Sequence, residues 1–158
     1  MKWWMSPSFR ITLVAAALAA ATPALAQARY SGISVDTSRI AADDGVFVAR
    51  NLSRFMRADL RASFGDLLTR DRNAPSLVVR LTGLKTPPLP NTGDTSDYMQ
   101  GEALVVSPGG HILARHPMQA ALNAGYSGAW YRPENERLRL RNLSRSYAYW
   151  LRREVAGR

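Results

Sequence analysis

Two carboxylates, two histidines, one aromatic run and a set of regularly spaced arginines are where this sequence could do chemistry. Asp97 and Glu102 are the only acid pair whose position suggests general acid and base work, which needs two carboxyl groups at a workable separation in a cleft. With Asp94 they could also offer oxygen ligands to Ca²⁺, but their spacing matches no calcium-binding loop. His111 and His116 are five apart on one expected strand. An odd offset sends them to opposite faces, so they should not share a metal. G-x-S-x-G, Walker, H-E-x-x-H and S-x-x-K patterns are missing. With no cysteine there is no thiol nucleophile, disulfide or thiolate metal site. No catalytic residue, metal or cofactor is assigned.

Contact chemistry has better candidates. In GYSGAWYR, Gly125 to Arg132, the rings of Tyr126, Trp130 and Tyr131 are separated by small residues and could stack on a sugar or a partner side chain. Arg132 could hold an anion beside them. The pentamer RNLSR occurs twice, at Arg50–Arg54 and Arg141–Arg145. Arg50, Arg54, Arg57 and Arg61 have i, i+4, i+7, i+11 spacing, and Arg141, Arg145 and Arg152 repeat the pattern. On helices these residues form stripes, with the leucine of each pentamer on the other side. No acid falls on either stripe. If the two helices lie side by side, the stripes should merge into one broad basic surface.

The elements that must carry these residues can be read from hydrophobic period. Tyr30 to Thr37 alternates as a short strand. Ser38 to Asp44 reads as a connector, with Asp43 or Asp44 capping the next helix. Gly45 to Leu68 has helical periodicity, with Leu52, Phe55, Met56, Leu60, Ser63 and Leu67 inward and Asp59 at the edge of the contact or paired. Ser76 to Leu84 is a strand with Leu77, Val79 and Leu81 on one face. Lys85 to Asp97 is a long loop. Tyr98 to Ser107 and His111 to Met118 flank Pro108-Gly109-Gly110 as a hairpin. Asn123 to Arg132 is a second loop, and Pro133 to Val155 a helix with Leu140, Leu143, Tyr147, Trp150 and Leu151 inward. Two amphipathic helices need one surface to bury against. The expected fold is α+β: a two-layer sandwich, element order β-α-β-β-β-α, with a mostly antiparallel four-stranded sheet and both helices on one face.

The first 26 residues read as a leader outside this fold. Lys2 and Arg10 precede an apolar run, and Ala24-Leu25-Ala26 offers the A-x-A pattern of signal peptidase. The expectation is cleavage after Ala26 and a single domain over 27–158, periplasmic or secreted, with no membrane anchor after processing and no lipobox. Residues beyond 26 include nineteen of the 21 basic residues and all 12 acidic ones, a net charge of +7. Such a charge suits an anionic partner. Export argues against nucleic acid and favours an anionic envelope component or an acidic protein. The sequence therefore suggests a non-catalytic envelope accessory or binding protein. The alternatives are a small hydrolase or transferase on an envelope polymer, using Asp97 and Glu102, or an assembly subunit that forms a homodimer through the open sheet face.

Overall fold

The computed structural model describes residues 29–87, 96–123 and 133–156. The leader and its cleavage site lie outside them. The chain runs β1 (Ile33–Asp36), α1 (Ser38–Asp43), α2 (Val46–Phe64), a 3₁₀ turn (Gly65–Leu67), β2 (Ser76–Lys85), β3 (Ser96–Val106), β4 (Ile112–Asn123) and α3 (Pro133–Ala156). The sheet order is β1-β2-β3-β4. β2, β3 and β4 form an antiparallel meander, while β1 lies parallel to β2, so the α+β sheet is mixed.

Alternation decides which sheet face is covered. Leu77, Val79, Leu81, Met99, Ala103, Val105 and Ala120 point into the core, where Leu52, Met56, Leu60 and Phe64 of α2 and Leu143, Tyr147 and Leu151 of α3 cover them. Both long helices lie on this one face. They run parallel, because their cross-contacts advance together: Ser144 meets Asp59, and one turn pair further on Arg152 meets Asp66.

Four expectations need correction. Ser38 to Asp43 is a helix, not a connector: six residues are too few to show a period, but Ile40 is fully buried and anchors it. Gly45, not Asp43 or Asp44, is the N-cap of α2. The hairpin strands are longer than expected, starting at Ser96 and ending at Asn123. Trp150 is half exposed rather than inward, whereas Phe64, at the rim of the apolar arc of α2, is fully buried. β4 is an edge strand, so among the described residues no further element covers the outer flank of α3 where Trp150 sits.

Two glycines are required by geometry. Gly110 closes the hairpin at φ +83°, in the left-handed region that side chains resist, with its N–H bonded to the Ser107 carbonyl. Gly101 lies opposite an irregularity between Leu81 and Gly83 of β2. A Cβ there would sit 2.5 Å from the Arg80 carbonyl oxygen and 2.9 Å from the Tyr147 hydroxyl.

Candidate anion-binding surface

In both pentamers the leucine, Leu52 or Leu143, is fully buried, and Arg50, Arg54, Arg141 and Arg145 are exposed. Period alone produces this: at about 100° per residue the leucine faces the sheet while the arginines, four apart, stack on the far side. The two copies are not equivalent, however. Ser144 is buried and its hydroxyl donates to Asp59 Oδ2 at 2.6 Å, so Asp59 is paired across the helix seam. Its counterpart Ser53 lies six residues before Asp59, roughly 9 Å back along the helix axis. There it lines a surface groove instead.

That groove, about 650 Å³, runs between α1 and the outer flank of α2. Arg50, Arg54, Arg57 and Arg61 form one wall with Ser53; Thr37 and Ala41 stand across from them. No carboxylate lines it. Among the described residues none of the four arginines is paired with an acid; Arg54 alone has a ring contact, lying 5.3 Å from the centre of Phe55. The side of α2 bearing Asp59, which faces α3, is about 170° around the helix from the centre of this stripe. The α2 arginines therefore open toward α1 and away from α3.

The structure thus gathers four of the seven arginines expected to act together and separates the other three. Arg141 and Arg145 are exposed on α3 and do not line the groove. Arg152 is not free. Its two terminal nitrogens bond the Asp66 carboxylate at 2.9 and 2.8 Å, and its guanidinium lies 5.6 Å from the centre of the Phe64 ring. A stripe read along one helix has no access to an acid brought in by the turn after another. Tyr126, Trp130, Tyr131 and Arg132 lie outside the described residues, as does Asp94.

The acid pair that would support hydrolysis is divided between the two faces of the sheet, since an odd offset on one strand reverses direction. Asp97 is 2 % exposed and held by Arg139, itself 6 % exposed. Arg139 Nε donates to Asp97 Oδ2 at 3.0 Å and Nη2 to Asp97 Oδ1, while Nη2 also donates to the Pro87 carbonyl at 3.0 Å. Glu102 is on the open face, bonded to Arg80 and Arg115 at 3.2 Å each. Asp36 joins Arg80 at 3.4 Å and completes a charged ladder across all four strands. This ladder occupies the face considered for dimerisation, where Leu104 is already buried. His111 belongs to the hairpin turn and His116 to β4. Among the described residues no three His, Asp or Glu side chains gather as a metal site would need.

Two further features escaped sequence reasoning. One is the Arg139 anchor, whose two partners flank a segment 42 residues away. The other is an exposed cluster on α3. Tyr149 and Trp150 meet edge to face at 5.3 Å, with the Arg153 guanidinium 5.8 and 5.3 Å from their ring centres and bonded to the Tyr149 hydroxyl at 3.1 Å.

No protein-family model matches the chain, and no curated protein matches it in sequence. Two crystal structures resemble it. One is an uncharacterized protein, 16 % identical with a TM-score of 0.45, covering 70 % of this chain; this chain spans 65 % of that one. The other is a minor lipoprotein from Acinetobacter baumannii, 16 % identical with a TM-score of 0.46, covering 81 % of this chain and 92 % of that one. Among the described residues no helix is long and apolar enough to cross a membrane.

Proposed function

We propose that the protein is an exported, non-catalytic accessory domain of the bacterial envelope. It binds an anionic envelope component, or an acidic protein, in the α1–α2 groove. The observation that carries this is the convergence of Arg50, Arg54, Arg57 and Arg61 on one groove without an acid among its lining residues. Ordinary solvation of a helix face mixes the two signs of charge. Four like charges spread over twelve residues repel one another and are relieved by a bound polyanion. Arginine suits phosphate or carboxylate because its planar fork binds both in two-point fashion.

The deciding experiment compares wild type with a variant in which these four arginines are glutamine, using inorganic polyphosphate and poly-glutamate as probes at low and high salt. Salt-sensitive binding that the variant loses supports the groove. Equal binding by both proteins overturns it. A second variant, Arg141→Gln with Arg145→Gln, separates the groove from α3 and is expected to keep most polyphosphate affinity. The mass of the protein recovered from the periplasm of an expressing host tests export, with cleavage after Ala26 expected.

A further inference from the structure

The outer face of α3 is not used by the groove, and it has its own composition. From Leu138 to Arg153 the exposed side chains Leu138, Arg141, Arg145, Tyr149, Trp150 and Arg153 succeed one another around the half of the helix turned away from Leu140, Tyr147 and Leu151. Of the acids on α3 itself, Glu136 and Glu154 fall on the flank beyond Trp150, and the Asp66 carboxylate meets the row only at its α2-side edge, where Arg152 holds it. Tyr149 and Trp150 each leave about half their surface in water, 52 % and 50 %. They are not loose, because the edge-to-face contact and the Arg153 guanidinium hold both rings in place.

We propose that this face docks on an anionic lipid headgroup surface. Trp150 and Tyr149 enter the headgroup layer, and Arg141, Arg145 and Arg153 pair with lipid phosphates. Indole and phenol rings have an apolar body and a polar tip, which suits the boundary between headgroups and acyl chains. The apolar side of α3 is taken by its own core, so the contact is peripheral: two interfacial rings and the arginines meet the headgroup layer while the helix stays on the domain. The row spans Leu138 to Arg153 on a convex surface, roughly 22 Å long. A broad, nearly flat anionic partner matches that shape. The inference goes beyond the groove to a second surface and rests on the anion-binding proposal only for the partner's negative charge.

The test uses protein exported by an expressing host and phosphatidylcholine vesicles with and without phosphatidylglycerol. Salt-sensitive binding only to the anionic vesicles is expected. In a Trp130→Phe background, where Trp150 is the one tryptophan left beyond residue 26, brominated lipid should quench the emission. Tyr149→Ala with Trp150→Ala should weaken vesicle binding about tenfold. Arg145→Gln with Arg153→Gln should weaken it about 25-fold at low salt, near fivefold for each charge. Arg145 and Arg153 are exposed, so thermal unfolding of that variant should not move; Tyr149 and Trp150 bury about half their surface, so the aromatic variant is compared at a temperature well below its own midpoint. Both should keep binding polyphosphate, which the groove variant loses. Undiminished vesicle binding by the aromatic variant, or a Trp150 that brominated lipid does not reach, overturns the proposal. So does a dependence on Tyr149 and Trp150 that appears with poly-glutamate instead of vesicles, which would indicate a protein partner. Loss of vesicle binding in the α3 variants together with unchanged polyphosphate binding in the groove variant would remove the groove and leave the lipid face standing.

Discussion

Arg139 joins the two ends of the segment between β2 and β3: its guanidinium grips the Asp97 carboxylate at the start of β3 and the Pro87 carbonyl at the exit of β2. Both charged side chains are nearly excluded from water. Removing one partner strands a buried charge. Arg139→Met should therefore cost about 3–5 kcal/mol in urea unfolding. Asp97→Leu together with Arg139→Met should recover most of that, since an apolar pair of similar size can replace a buried ion pair.

The two RNLSR serines should respond differently to the same substitution. Ser144→Ala leaves Asp59 facing the helix seam without its donor and should cost about 1–2 kcal/mol. Ser53→Ala, in the open groove, should stay within about 0.5 kcal/mol. A double-mutant cycle over Ser144 and Asp59 should return a coupling of about 1 kcal/mol or more.

Gly101→Ala should destabilise by about 1–3 kcal/mol, because its methyl group meets the Arg80 backbone as well as the Tyr147 ring end. Tyr147→Phe should not rescue it, since the 2.5 Å approach to the Arg80 carbonyl remains. On its own, Tyr147→Phe should be neutral or slightly stabilising. The Tyr147 hydroxyl is buried without a hydrogen-bond partner among the described residues, so little is lost with it.

The same hydroxyl gives a pH signature. Burial, reinforced by the Glu102 charge, pushes the Tyr147 phenol above its ordinary value. The unfolded chain releases this proton near pH 10 while the folded chain keeps it, so stability present below pH 10 falls as pH rises further. Denaturation midpoints should drop above about pH 10 in wild type and drop less steeply in Tyr147→Phe. Burial of Tyr30 acts in the same direction, so some decline should persist.

Asp36 works at the acid end. The Ser38 amide donates to its carboxylate at 3.0 Å and lowers its pKa, with Arg80 adding a smaller contribution. A depressed pKa means stability that is present above the unfolded value near 4 and lost as pH falls through the folded one. Asp36→Asn should be less stable than wild type at neutral pH and should converge with it below about pH 3. The carboxylate is more than a third exposed, so the difference should be small.

How much of this was legible from the chain alone depends on the distance over which each feature is encoded. Leu77, Val79 and Leu81 alternate, and Leu52, Met56 and Leu60 recur each turn, so the covered sheet face and the inward sides of two helices are set by period within one element. The upward arginines and downward leucines of RNLSR are the same kind of fact. The opposition of Asp97 and Glu102 is not, because the sequence leaves Asp97 in a loop and only the earlier start of β3 at Ser96 puts both on one strand. Burial of apolar area is non-directional, and a pattern of apolar positions suffices to state which side is buried.

What each charge meets belongs to the tertiary structure. Arg152 looks free on its helix and is tied to Asp66 only because α3 runs parallel to α2 at one stagger. Arg57 and Arg61 look like part of a surface shared with α3, yet they open toward α1, a helix too short to announce itself. Arg139 sits beside Leu140 with nothing local to mark it as the residue that secures Asp97 and Pro87. Ion pairs and hydrogen bonds are directional and short-ranged. Their partners are set by the register between elements, and no period within a single element contains that register.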